Sequence, residues 1–237
     1  MTIYDPLAPI IPPVIQATIL AAGVLVLGGM AIQRQLRAAG GGVIPDEGVT
    51  LRNVCELIVE SLISLARDTM GAEYKKHFPI VATMFIFILV SNLLGLIPGF
   101  AGATSWVETT AAWAIISFVV YNAIGIRKHG FWYINQFLGP SFFETTIFGR
   151  HIHVRPLAPI FFVLEVPLHF ARILTLAVRL LANMYADHTV VAVWLGLVPV
   201  VVPAIFLGLG ALVAFLQALV FALLTMIYIG LALEEPH

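Results

Sequence analysis

The chain has 237 residues, of which 60% are hydrophobic and 11% charged, with a formal net charge of -1. Soluble domains carry roughly 25% charged residues, so this composition cannot cover a water-facing core, and a mean hydropathy of +1.00 makes the bilayer its solvent. The near-neutral balance excludes a nucleic-acid footprint, and the single cysteine, Cys55, excludes an internal disulfide or a cysteine-rich metal site.

Asp5 and the prolines Pro6, Pro9, Pro12 and Pro13 open the chain without a basic region, which argues for a retained span rather than a cleaved signal peptide. A spanning helix needs roughly 20 mostly apolar residues. The first such run is 14–32, closed by Arg34 and Arg37. Residues 50–71 alternate differently: Arg52, Glu56, Glu60 and Arg67 share one helical face, while Leu51, Val54, Ile58, Leu62 and Leu65 take the other. That pattern predicts an amphipathic interfacial helix. The second span, 78–98, follows Lys75, Lys76 and His77 and contains Asn92. The third, 108–126, opens on Glu108 and stops at Arg127, Lys128 and His129. Residues 156–194 form the fourth, Pro199 and Pro203 interrupt the chain, and 204–233 form the last.

The expected fold is therefore an all-α integral membrane protein in a single membrane domain over 1–237, with about five membrane helices and one amphipathic helix. Positive-inside counting puts Arg34, Arg37, Lys75, Lys76, Arg127, Lys128, Arg150 and Arg155 on one side. The N-terminus is then outside, and the C-terminus, with Glu234 and Glu235, is cytoplasmic.

The chemistry concentrates in the fourth span. On a helical wheel Glu165, His169, Arg172, Arg179, Asn183 and Asp187 fall within about 80° of one another. The stripe is about 33 Å long, comparable to the hydrocarbon thickness. An isolated arginine at the bilayer centre costs at least ~2.5–3.5 kcal/mol, so these groups must face protein, water or a partner's charge. Arg172 has Glu165 and His169 nearby on its own helix, and His169 reads equally as a buried structural histidine. Arg179 has no acidic residue three or four positions away. Its counter-charge is expected from elsewhere. In the last span Gln217 is a lone amide beside Gly210, Ala214 and Ala218, a small-residue row that permits close helix packing. Glu108 is favoured at a helix N-terminus by the dipole alone.

The run Val178-Arg179-Leu180-Leu181-Ala182-Asn183-Met184 resembles the R-L-(F/L)-(G/A)-N-M signature of the F-type ATP synthase subunit a family. Asn92 with Leu93-Leu94-Gly95-Leu96-Ile97-Pro98 is similar to that family's N-L-x-x-L-x-P ending of its second span. Glu165 lies fourteen positions before Arg179, as the family's glutamate does, and Leu216-Gln217-Ala218 stands where the family has L-Q-A.

The resemblance implies an ion-translocating stator subunit, with the proton as the expected ion, in the membrane sector of a rotary synthase. Its last two helices would be long and tilted against a ring of c subunits. Two offset aqueous half-channels would meet near the essential arginine, here Arg179, with Asn183, Glu165 and Gln217 at the matching positions. The implied partners are the c ring, b-type peripheral-stalk subunits and the remainder of the synthase, in a bacterial inner membrane or an equivalent energy-coupling membrane.

Two departures matter. Nine positions after the arginine many members carry glutamate, whereas here Asp187 precedes His188. Members with histidine there often carry an acid at the position that is Gly210 here, which makes Asp187 the expected substitute. Glu108 stands where many members have asparagine and is expected to line a channel.

The competing reading is a stand-alone secondary transporter or channel, which predicts discontinuous helices around a midplane pocket. A purely structural anchor would bear the cost of Arg179 for nothing. No G-x-x-x-x-G-K-[ST] loop and no metal-ligand pair occurs, so a catalytic subunit, a nucleotide site and a cofactor are not expected.

Overall fold

A computed structural model of the chain describes residues 4, 9–38, 51–97, 99–130, 133, 143–147, 150–154, 158–197 and 201–234. Asp5, Pro6, Pro98, Arg155, Pro156, Pro199 and Glu235 lie outside the described residues. The elements are α1 (Pro13–Ala38), α2 (Leu51–Met70), α3 (Tyr74–Gly95), α4 (Val107–His129), β1 (Phe143–Ile147), β2 (Arg150–Val154), α5 (Ala158–Leu197) and α6 (Val201–Leu233). Short 3₁₀ turns at Gly71–Glu73 and Ala103–Ser105 precede α3 and α4.

The molecule is an all-α membrane protein with one addition: β1 and β2 pair antiparallel as a small hairpin ahead of α5. Thr145, Thr146 and Ile147 are β-branched, which suits them to a strand.

The basic residues sit differently from their expected places. Arg34 and Arg37 lie within α1, Lys75 and Lys76 in the first turn of α3, and Arg127 and Lys128 in the last turn of α4. Long basic side chains let a helix continue past its apolar run while their heads reach the interface. Pro203 does not interrupt the chain. It occupies the first turn of α6, where a missing N–H costs no helical bond. Pro79 and Pro167 lie inside α3 and α5, each removing one bond from its ladder.

In α2 the face turned to the core is Leu62, Ala66 and Met70 with Ile58 and Leu65 alongside, whereas Val54 is 45% exposed rather than packed. Gly71 ends this helix at φ 63°, a left-handed conformation that lets the chain turn into α3.

Four segments among the described residues are long and apolar enough to cross a membrane: 13–35, 53–95 (which joins α2 to α3), 107–129 and 202–233. The segment α5 is not among them, although its 40 residues make it the longest helix; its polar stripe sets it apart. At 1.5 Å per residue α5 and α6 are about 60 and 50 Å long. Each exceeds a hydrocarbon layer of about 30 Å, so it either inclines within the layer or extends beyond it.

The centre of the fold is α6, which packs against α2, α3, α4 and α5. Its Gly210, Ala214, Ala218 and Ala222 form one buried row. A β-carbon on Gly210 would stand 2.6 Å from the Leu96 Cδ2, and one on Gly230 would stand 2.5 Å from the Thr69 carbonyl. Such rows let helices approach closely where lipid offers no hydrophobic drive to associate.

Helices α5 and α6 run antiparallel in steady register. Trp194 stacks on Phe206 with centroids 5.8 Å apart, Asn183 bonds Gln217, and Arg172 lies over Tyr228. Each step moves eleven residues down one helix and eleven up the other, about three turns. The residue that falls opposite Arg179 is Phe221, 2% exposed.

Beyond α4, Tyr133 folds its ring against Gly125. Burial pushes its phenol up to about 12, so it remains a donor and bonds the Asn122 Oδ1 at 3.0 Å.

Candidate functional site

The polar stripe of α5 is divided by the register with α6 into three parts. At the N-terminal part, His169 is 4% exposed and rests against the rings of Phe118 and Tyr121 from α4, at 6.4 and 6.1 Å. Its Nδ1 lies 3.3 Å from the Glu165 carbonyl and 3.7 Å from the Glu165 carboxylate. Arg172 stands 3.9 Å from the same carboxylate, and its guanidinium sits 5.1 Å over the Tyr228 ring. Such a cation–π contact is worth about 0.5–2 kcal/mol, more when desolvated. Arg172 is therefore held by a carboxylate one side and an aromatic face on the other. Ser117 and Thr225 bond at 2.9 Å between α4 and α6 beside this group.

The middle part is Arg179 and Asn183. The Asn183 amide donates to the Gln217 Oε1 at 2.8 Å, and Gln217 is 6% exposed. Leu176, Leu180 and Met184 turn into the core on either side. Arg179 is partly exposed. Among the described residues it has no hydrogen bond and no ion pair, and Phe221 opposite gives it no charge.

Toward the C-terminal end, Asp187 and His188 line a cleft of about 190 Å³ with Met184, Gly95 and Leu207. The His188 Nε2 is 3.0 Å from the Ser105 Oγ, where either group can donate. Glu108 is exposed in the first turn of α4, three residues beyond Ser105. The structure thus brings Asp187, His188 and the turn that leads to Glu108 to one end of the stripe, and Glu165, His169 and Arg172 to the other. Glu108 accordingly belongs with the end opposite to Glu165 and His169.

Asn92 lies in the last turn of α3. It is fully buried, accepts a hydrogen bond from Thr104 at 2.6 Å, and donates to the Ala214 carbonyl at 3.4 Å. Its work is to tie the 103–105 turn and α6 to α3, which fixes Ser105 beside His188. A close backbone approach assists: a β-carbon on Gly102 would collide with the Ser91 carbonyl.

At Gly210 the Leu96 Cδ2 stands in the space of a β-carbon, so an acid there would require Leu96 to shift. Ser105, Thr104, Tyr228 and Tyr121 were not singled out from the sequence. The one signal for the first two was a hydroxyl pair in an otherwise apolar stretch just before Glu108.

The Asn183–Gln217 bond gives a quantitative expectation. A double-mutant cycle of Asn183→Ala and Gln217→Ala, read as thermal unfolding of the detergent-solubilised complex, should give a coupling of about 0.6 kcal/mol, with an upper bound near 1.7.

The ATP synthase A chain family model matches residues 15–230. The chain is 41% identical to an ATP synthase subunit a of Geotalea uraniireducens over 220 residues, covering 93% of this chain and 87% of that protein. It is 43% identical to one of Geotalea daltonii over 187 residues, covering 79% and 76% respectively. It is 40% identical to an ATP synthase subunit a 3 of Pelobacter propionicus over 220 residues, covering 93% and 87%. With an antiparallel helix pair carrying the Arg179 stripe and this likeness along nearly its full length, the chain belongs to the ATP synthase subunit a family.

Proposed function

We propose that this chain is the proton-translocating stator subunit of a rotary F-type synthase, acting as one membrane domain against a ring of c subunits. The observation that carries this reading is Arg179. Every other charged or amide group on the stripe has a partner or a cleft within the chain, and Arg179 has neither among the described residues. A guanidinium stays charged in any surroundings a protein offers. It would pull a carboxylate on a passing ring subunit into its deprotonated form, and it would raise an electrostatic barrier to ions slipping directly from one side to the other.

The two ends of the stripe are the proposed half-channels. One is built from Asp187, His188, Ser105 and Glu108 around the cleft. The other is built from Glu165, His169 and Arg172. Positive-inside counting places the N-terminus outside and the C-terminus in the cytoplasm of a bacterial or equivalent energy-coupling membrane. The b-type stalk subunits would hold the chain still while the ring turns. Nucleotide chemistry lies elsewhere in the complex.

If Asp187 and His188 share one relay, proton pumping driven by ATP in inverted vesicles should fall further in Asp187→Asn/His188→Ala than in either single change. The complex should remain assembled throughout. Negligible, additive losses would reduce these groups to solvating a helix end.

A further inference from the structure

A second polar cluster lies away from the stripe, where α3 begins and α4 ends. Lys76, His77, Arg127, Lys128 and Glu73 line a cleft of about 350 Å³. Lys128 is committed to Glu73 at 2.8 Å. Lys76 and Arg127 are exposed and form no hydrogen bond or ion pair among the described residues. His77 is 6% exposed, and its Nε2 has no hydrogen-bond donor or acceptor within reach, the nearest Glu73 oxygen being 4.0 Å away. Three cations against one carboxylate, with a buried ring nitrogen left over, make a site with spare capacity to donate to an anion.

The walls below this rim are apolar. Ile80, Ala123, Ile124 and Leu233 complete the lining, and Ile80 is 40% exposed. Ile80 lies one turn from Lys76 along α3, about 6 Å deeper into the membrane. A basic rim at the interface over an apolar wall between membrane helices has the chemistry of a phospholipid site. We propose that this cleft holds one anionic phospholipid, its phosphodiester between Lys76 and Arg127 with the His77 ring nitrogen as a further donor, and an acyl chain along Ile80 and Ile124. A free phosphate would satisfy the rim alone and leave that wall unused. The helix-end dipole of α4 explains basic residues in its last turn, yet it explains neither the cleft nor the unpartnered His77. This inference does not rest on the ion-translocation reading, because none of its residues lies on the stripe.

The test uses the intact complex, purified in detergent, stripped of lipid and supplied with dioleoylphosphatidylglycerol or dioleoylphosphatidylcholine. By native mass spectrometry Lys76→Gln/Arg127→Gln should retain one phosphatidylglycerol fewer than the parent. Lys75→Gln, a cation outside the cleft, should retain as many as the parent, and phosphatidylcholine should not distinguish the three. The single change Arg127→Gln, at an exposed position, carries the comparison if the double variant does not assemble. Equal phosphatidylglycerol retention in parent and cleft variants overturns the proposal. So does an equal loss in Lys75→Gln, which would reduce the effect to diffuse surface attraction. Stoichiometric binding of labelled inorganic phosphate that excludes the lipid, and is lost in the cleft variants, would replace the lipid by a free anion.

Discussion

Replacing Arg179 with alanine should abolish coupled ATP synthesis and ATP-driven proton pumping while the subunit still assembles. The expectation follows from two facts about its surroundings. No described group neutralises the guanidinium, and the α5–α6 register sets the buried Phe221 at its level. Its loss therefore breaks no hydrogen bond or ion pair among the described residues and orphans no partner there, which is why assembly should survive. Charging this position costs at least ~2.5–3.5 kcal/mol in a bilayer without compensation, so Arg179→Ala should not destabilise the isolated fold and should relieve it slightly. Loss of function without loss of stability is the signature of a group kept for what it does to a partner. Arg179→Lys tests the same point more finely. An ammonium in a desolvated site can lose its proton, whereas a guanidinium cannot, so lysine should restore little coupling. Near-normal synthesis in an assembled Arg179→Ala complex would remove the basis of the proposed function.

The second large effect concerns the chain by itself. Reconstituted alone in liposomes it should show no proton flux above protein-free vesicles, and no ATP hydrolysis. One charge crossing the membrane gains about 2.3 kcal/mol per 100 mV, so several must pass for each ATP made. That requires a carboxylate presented to Arg179 again and again, which a ring supplies and one chain lacks. The structure also leaves the stripe in three parts, with a continuous apolar core of Leu176, Leu180 and Met184 behind its middle. Fast, saturable and ion-selective flux through the isolated chain, dependent on Arg179, would instead favour a stand-alone transporter.

The sequence was most informative where burial of charge is costly. Arg179 could be singled out because a bilayer penalises an uncompensated guanidinium wherever its helix goes, so local spacing was enough. The same logic found the α2 amphipathic pattern and its packed residues Ile58, Leu62 and Leu65, but it included the exposed Val54 and missed Ala66 and Met70. Small residues such as Ala66 carry little hydropathy signal, and their burial is decided by how closely α6 approaches. Contacts between distant segments were not legible. The Ser105–His188 bond joins residues 83 positions apart, and the Asn92 links depend on where α6 crosses α3. Asn92 was legible as part of a motif at the end of a span, without the Thr104 and Ala214 partners that hold it. Glu108 was legible only as a carboxylate at a helix start, and the Ser105–His188 contact puts it toward the Asp187 end of the stripe. Prolines were read too simply as well, since Pro203 begins a helix that it was expected to precede.

The proposed division of the stripe into two separate aqueous routes can be tested directly. In the assembled complex, on a Cys55→Ala background, single cysteines placed at 165, 169, 172, 176, 180, 184, 187 and 188 would be challenged with a small membrane-impermeant thiol reagent from each side in turn. The account predicts labelling at 165 and 172 from one side only and at 187 and 188 from the other side only. Positions 176, 180 and 184 should be protected from both. Labelling that runs without a break from 165 to 188 from a single side would mean one continuous pore, and would contradict it.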